Sequence, residues 1–587
     1  MKYRKFLGAA AVAAATVAFS THVGLAAGPV NVVELTASQI EADLAAKKYT
    51  VHELVQSYLD RIDTYNANYN AFTYLNPTDA LLQADAIDAQ IAAGGVTKPL
   101  QGVPIVIKDS MNVAGVRTTS GFYGFAHEFG DPATGQVGVD MIPKADAPIV
   151  ARLREAGAVI LGKTNLPSFA RSGANANTSF FGPTYNAVVH DRAPGGSSSG
   201  TATAVSASFA TMGTAEETGG SIQNPAGAQA LVGIKTTFGL VPTSGGVPLA
   251  GSTRDVFGTN ARSVRDAANM LSVIAGYDPS DPNTAQSTVA SGHIPAAGYA
   301  AGLSTTALQG KRFGLYSSAP TGPTGAFKNT TLSTEAQSLY TAAQQVLVSQ
   351  GATVVPDVFT GTNFSTLAAT FSNWGSVNLP YEVNQYMKDT MDPAKSPTSV
   401  AAFKAATHGI DLYQPSGPLI GSFTPTASNP DAPLALKANT LTPDVSDTAS
   451  VQKFMDGRAT MLAAFRKIMT DNDLDGLFFP QQSAEPGLMP GAGGNGSYSA
   501  VTVSEINLMG TPQVNLPGGY YADGSPFSVA FLGDTYTEGS LLSYAYDFED
   551  ATHYRVAPTL AVPEPATAGV LVIVGATGML KRRRRAA

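Results

Sequence analysis

An α/β layered fold is predicted by three features of the chain. Apolar runs too short for helices, such as Val103 to Ile107 and Ala158 to Leu161, are bounded by glycine or aspartate, as strands buried on both faces are. Segments with apolar residues at three- and four-residue steps alternate with them. Glycine repeatedly marks the passage from helix to strand, as in Asp146 to Gly157 followed by Ala158-Val-Ile-Leu161.

The elements follow in order. Thr36 or Ser38 with Gln39 or Glu41 three residues on fits a helix N-cap. After Thr50, the positions Leu54, Tyr58, Leu59 and Ile62 lie on one apolar helical face. Residues 70–76 read as a strand and Thr78 to Ala92 as a helix. Val103 to Ile107 is a buried strand ending at Lys108-Asp109, 146–157 a helix, and 158–161 the next strand. Leu231 to Lys235 is a further strand, and Arg262 to Gly276 an amphipathic helix stopped by its glycine. Residues 277–310, rich in Ser, Ala, Pro and Gly, read as loop. Lys311 to Tyr316 and 352–355 are strands flanking a helix over Glu335 to Gln350. Residues 477–480 and 512–517 are late strands, the second followed by a turn at Gly518-Gly519, and Leu541 to Glu549 is a closing helix. From Val358 to about Ser450 the pattern weakens. This stretch holds Trp374, Tyr381, Tyr386 and Met387, which suit either a substrate pocket or helices packed on the core.

Composition narrows the chemistry. With no cysteine among 587 residues, disulfides, thiolate metal sites and a cysteine nucleophile are excluded. The net charge is −8 although both ends are basic, so the body is acidic and nonspecific nucleic-acid binding is disfavoured. No metal-ligand spacing and no phosphate loop is found, and His127 beside Glu128 reads as a loop residue.

The candidate site lies in residues 194–240. Pro194-Gly-Gly-Ser197-Ser-Ser-Gly200 and Glu217-Thr-Gly-Gly-Ser221-Ile222 carry two Gly-Gly-Ser units joined by a segment of small residues. Glycine there permits tight turns and close substrate approach, so two hydroxyls can be brought together. A serine needs a base, and no histidine lies between the turns. Lys108, at the end of an apolar strand, is placed to lose its charge by desolvation and serve as that base.

Gly102-Val-Pro-Ile-Val-Ile-Lys-Asp109, the two serine turns, Arg152 to Asn165 and Gly233 to Pro242, in this order and spacing, resemble the amidase signature family from about Leu35 to Pro558. The resemblance implies a mixed β-sheet sandwiched between α-helices and the hydrolysis of carboxamide C–N bonds without metal or cofactor. It implies Ser221 as nucleophile, Ser197 as bridge behind a cis Gly196–Ser197 bond, and Lys108 as base. The backbone N–H groups of Thr218, Gly219, Gly220 and Ser221 would form the oxyanion hole, and Ser198 would be a supporting hydrogen-bonder. Departures from the family pattern are Ser199 for glycine, Gln223 for arginine, Thr236 for proline, and Gly213-Thr-Ala-Glu-Glu-Thr218, which reads as a two-residue extension. A rival reading makes Gly196-Ser-Ser-Ser-Gly200 a nucleophile elbow with Ser198 attacking and His293, His408 or His553 as base.

The ends suggest export. Residues 1–27 have a basic start, an apolar middle and a small-residue cut site, as a signal peptide does. Residues 562–587 hold Val-Pro-Glu-Pro565, fifteen uncharged residues and five basic ones, and resemble a PEP-CTERM sorting signal. That resemblance implies transient membrane contact and an exosortase-type processing enzyme as partner. Residues 28–561 are then one catalytic domain acting on a small-molecule or peptide amide in the envelope or outside the cell. Two alternatives are an inactive envelope-binding protein and a glutamine-hydrolysing, amidotransferase-like subunit.

Overall fold

A computed structural model describes residues 30–316, 327–328, 330–371, 378–412 and 444–561. The two terminal segments read as export signals, 1–27 and 562–587, and Trp374 lie outside the described residues.

The strands are β1 (Phe72–Leu75), β2 (Pro104–Lys108), β3 (Gly130–Asp131), β4 (Gln136–Val137), β5 (Val159–Thr164), β6 (Met212–Glu217), β7 (Val232–Lys235), β8 (Val256–Ala261), β9 (Arg312–Leu315), β10 (Thr353–Val355), β11 (Gly476–Pro480), β12 (Gln513–Tyr520) and β13 (Pro526–Leu532). Eleven of them form one sheet in the order β1-β5-β2-β6-β8-β7-β12-β13-β11-β9-β10, and β3 and β4 form a separate hairpin. The sheet is mixed: β5, β2 and β6 run parallel, as do β11, β9 and β10, and the strands between them pair antiparallel. Every residue of β2, β5, β6, β7, β8, β11 and β13 is buried. Side chains alternate between faces along a strand, so burial at every position requires cover on both sides. The expected α/β/α sandwich is therefore present.

Local chemistry explains the first helices. Thr36 and Gln39 close a capping box on the Ala37–Ala45 helix, and Thr50 and Glu53 close one on Val51–Tyr69. The helix read over 262–276 spans Val264–Ile274, and Gly276 beyond it sits at φ 130°. Two boundaries differ from the sequence reading. Residues 277–310, read as loop, contain 3₁₀ turns at Pro282–Gln286 and Tyr299–Gly302. Gly518-Gly519 is not a turn: β12 runs through it with a register shift, and the chain reverses at Tyr521–Ser525, where Tyr521 N–H donates to Ser525 O at 2.8 Å.

The 358–450 region divides between its two readings. In the Leu379–Thr390 helix, Tyr386 and Met387 pack with Phe122, Phe125, Phe169 and Phe403 in a second apolar cluster. Tyr381 and Tyr386 also line a cavity of about 690 Å³.

Candidate active site

Strand β2, third from one edge of the sheet, carries Lys108 fully buried between β5 and β6. Its Nζ lies 2.7 Å from Ser197 Oγ and 3.2 Å from the main-chain carbonyl of Glu216. Its backbone N–H donates to Thr214 Oγ1 at 3.1 Å, which fixes the strand end against β6. Desolvation pushes the Lys108 amine below the ordinary lysine range, opposed by the charges of Glu216, Glu217 and Asp255.

Ser197 follows a cis peptide bond from Gly196, as the resemblance implies. The turn leaves no room for side chains. A Cβ on Gly196 would lie 2.4 Å from the Ser172 carbonyl oxygen, and one on Gly195, at φ 74°, would lie 2.4 Å from Pro225 Cα. Ser198 and Ser199 are fully buried. Ser198 Oγ sits 3.4 Å from both the N and O of Glu216, and Ser199 Oγ donates to Gly195 O at 2.6 Å.

The second turn is tied to the first. Ser198 N–H donates to the carbonyl of Ser221 at 3.2 Å. Ser221 is buried but retains 6% exposure, whereas Ser197 and Lys108 retain none. Among the three it is the one a substrate can reach. Beside it Thr218 is partly exposed and Gly219 exposed, while Gly220 is buried, so the first half of the Thr218–Ser221 segment faces solvent. A Cβ on Gly219 would meet nothing within 4 Å, while one on Gly220, at φ 97°, would lie 2.8 Å from Asn224 Nδ2 and from Val503 Cγ1. Thr218 Oγ1 donates to Asp255 Oδ1 at 2.5 Å, and the other Asp255 oxygen accepts from Leu249 and Ala250 N–H groups.

Glu217 holds the start of the Gln223–Ala228 helix that follows Ser221. Its carboxylate accepts from Ile222 N–H at 2.8 Å, Gln223 N–H at 3.2 Å, Gln223 Nε2 at 2.6 Å and Asn507 Nδ2 at 2.6 Å.

The departures from the family pattern are accommodated locally. Gln223 joins Glu217 to Thr502, Thr236 Oγ1 donates to Phe257 O at 2.8 Å, and Ser199 opens the Ser199–Ser206 helix. The doubled glutamate makes no bulge, since β6 pairs with β8 in unbroken register from Met212–Ala261 to Glu217–Val256.

Sequence reasoning missed Glu216, Ser110 and Asp255. Glu216 Oε2 lies 3.9 Å from Lys108 Nζ and accepts from Ser110 Oγ, all three side by side in the interior. The signal was a pair of adjacent glutamates on a strand otherwise of small and apolar residues.

The elbow reading finds no base. Ser198 faces the Glu216 main chain, whereas His293 binds Gln286 O, His408 binds Gly135 O and His553 ends the Glu538–Thr552 helix. His127, Glu128 and Asp140 do converge on the surface, their ligand atoms within 4.8 Å of one another. Arg117 already bridges both carboxylates, at 2.6 Å and 3.4 Å, and its guanidinium supplies the positive charge a metal would bring.

A protein-family model described as Amidase matches residues 53–542. A glutamyl-tRNA(Gln) amidotransferase subunit of Carboxydothermus hydrogenoformans is 30% identical over 547 residues, covering 89% of this chain and 98% of that protein. Its counterpart from Trichlorobacter lovleyi, of the same name, is 31% identical over 532 residues, with 89% and 98% coverage. Among solved structures, native peptide amidase from Stenotrophomonas maltophilia aligns with a TM-score of 0.71 at 28% identity, covering 90% of this chain and 99% of that one.

Proposed function

The chain belongs to the amidase family and is an amide-hydrolysing enzyme; on that premise we propose that it works through a Ser221 acyl-enzyme, with Ser197 as proton bridge and Lys108 as base. The observation that carries this reading is the 2.7 Å contact between Ser197 Oγ and a lysine amine withdrawn from water.

In the proposed first step Ser221 Oγ bonds to the amide carbonyl carbon and the carbonyl π pair moves to oxygen. The Ser221 proton passes to Ser197 as the Ser197 proton passes to Lys108 Nζ. The oxyanion is held by N–H groups of Thr218 to Ser221, and losing one such donor typically costs about 2.7–4 kcal/mol. Collapse breaks the C–N bond. The leaving amine takes a proton from Ser197, which regains one from Lys108. Water then attacks the acyl carbon by the same relay, releasing the carboxylic acid and restoring the Ser221 hydroxyl. Ser198 supports the bridge by fixing the Glu216 main chain beside it.

A second reading of the substrate is favoured by the sequence relatives, which are amidotransferase subunits by name and which this chain covers almost completely. In it the amide is glutamine, and the product ammonia passes to a partner protein. The peptide amidase likeness supports a stand-alone hydrolase instead. Turnover of glutamine against C-terminal peptide amides and aryl amides separates the two. A fluorophosphonate probe tests what they share, since failure to label Ser221 in folded protein removes the acyl-enzyme altogether.

We infer export as well, which fits the stand-alone reading. It rests on the leader-like residues 1–27 and the Val-Pro-Glu-Pro565 segment with its basic end. Finding full-length protein in the cytoplasm, with both ends intact, counts against it and against an exosortase-type partner.

A further inference from the structure

We propose that Glu216 is a positioning residue for the proton relay, its carboxylate setting the pH at which Lys108 becomes the free base that Ser197 requires. This rests on the acyl-enzyme reading above.

The geometry is specific. A neutral amine has two N–H groups and one lone pair, and to take the Ser197 proton Lys108 must turn the lone pair toward Ser197 Oγ. Glu216 flanks what remains: its main-chain carbonyl accepts from Nζ at 3.2 Å, and its carboxylate Oε2 stands 3.9 Å away, an ion-pair and not a hydrogen-bond distance. The same carboxylate is anchored by Ser110 Oγ, two residues beyond Lys108 on the same stretch of chain. Both side chains of the pair are essentially without solvent contact, at 0% and 3% exposure. Two opposite charges in that setting hold each other in place, and neither ionises independently of the other.

Burial works against both charges. It drives the amine down and the carboxyl up, while each charge counters the shift of its partner. Between the doubly charged and the neutral pair a single proton moves. On Lys108 it silences the base, and on Glu216 it leaves the base ready.

The other groups facing this pair are fixed. From β6 comes Glu217, committed to the helix after Ser221; from the turn before β8 comes Asp255, held by Thr218, Leu249 and Ala250. From the Leu379–Thr390 helix comes Tyr386, whose hydroxyl donates to Asn112; Lys163 on β5 stands level with Ile107 and is paired with Asp109 at 2.7 Å. Glu216 is the only carboxylate with an oxygen within 4 Å of Lys108 Nζ among the described residues.

The test reads the rate of Ser221 labelling by a fluorophosphonate against pH, which needs no knowledge of the substrate. The variants are E216Q and E216T, which remove the charge, and E216D, which keeps it. An opposite charge at this range raises a lysine by about 1–3 pH units. The acid limb of E216Q or E216T is therefore expected at least about one pH unit below that of the wild type, with E216D restoring it toward the wild-type position. Using two charge-removing variants guards against misfolding of one, as checked by circular dichroism. A limb that stays put, or moves upward, in whichever variant folds overturns the proposal. So does a uniform loss of labelling at every pH, which is what a purely structural role produces. A wild type that never labels overturns the acyl-enzyme reading itself, and the role of Glu216 with it.

Discussion

Ser198 N–H and Ser221 C=O meet at 3.2 Å, so the two glycine turns are fastened to each other through the backbone and not only through side chains. Ser197 precedes that donor by one residue and Ser221 carries the acceptor. The backbones that carry the two serines are therefore held against each other in the buried interior.

Lys108→Met tests the base. Methionine keeps the volume and removes a cation that burial disfavours. The variant is expected to fold with a thermal midpoint at or near that of the wild type while losing about 10²–10⁴-fold or more in turnover. Rates of amide hydrolysis and of fluorophosphonate labelling measure the loss. Near-normal rates would return Lys108 to a structural role.

The pH profile has a definite sign. Lys108 acts as a base only when neutral, and its desolvated amine sits below the usual lysine value of about 10.4. Activity is therefore expected to rise as pH passes upward through the lowered folded-state value and to be lost as pH falls below it. A profile whose acid limb lies at or above the ordinary lysine range contradicts burial as the activating force.

Much of this arrangement was readable from residues alone. Lys108, Ser197 and Ser221 stand out because glycine turns and a buried lysine are chemically costly anywhere else. The Thr36–Gln39 and Thr50–Glu53 caps are local signals, complete within four residues. The strand order was not legible, because β8 lying between β6 and β7 depends on contacts far apart in sequence. Glu216 was hidden for the same reason: its meaning comes from Lys108, on a strand more than a hundred residues earlier. Gly518-Gly519 misled because turn composition also suits a register shift inside a strand that is paired on both edges.

Gly219 and Gly220 are adjacent yet should respond oppositely to alanine. Gly220→Ala places a Cβ at φ 97° and 2.8 Å from Asn224 and Val503, so a loss of about 1–3 kcal/mol in stability is expected by denaturant unfolding. Gly219→Ala meets nothing within 4 Å and should leave stability within about 0.5 kcal/mol of the wild type. Its methyl group projects from an exposed position beside Ser221, where substrate has to approach. Turnover should fall more for bulky amides than for small ones. Equal losses across an amide series would mean that this face is not the entrance.

Asp109 and Lys163 form a buried pair at 2.7 Å, both side chains 1% exposed, directly after and beside the strand end that carries Lys108. Asp109 also accepts from Thr119 N–H and Thr119 Oγ1, and Lys163 donates to Thr118 Oγ1 at 2.8 Å and to Arg117 O at 2.9 Å. Removing one partner leaves the other charge uncompensated, which typically costs about 3–5 kcal/mol. Lys163→Met is therefore expected to be destabilised by that order and Asp109→Asn by a comparable amount. The double variant should lose less than the sum of the two, because the second change removes the stranded charge left by the first. Urea unfolding of the four proteins measures the coupling. Strict additivity would show that the pair contributes no more than its separate hydrogen bonds, and that the loop after Lys108 is held by Thr118 and Thr119 instead.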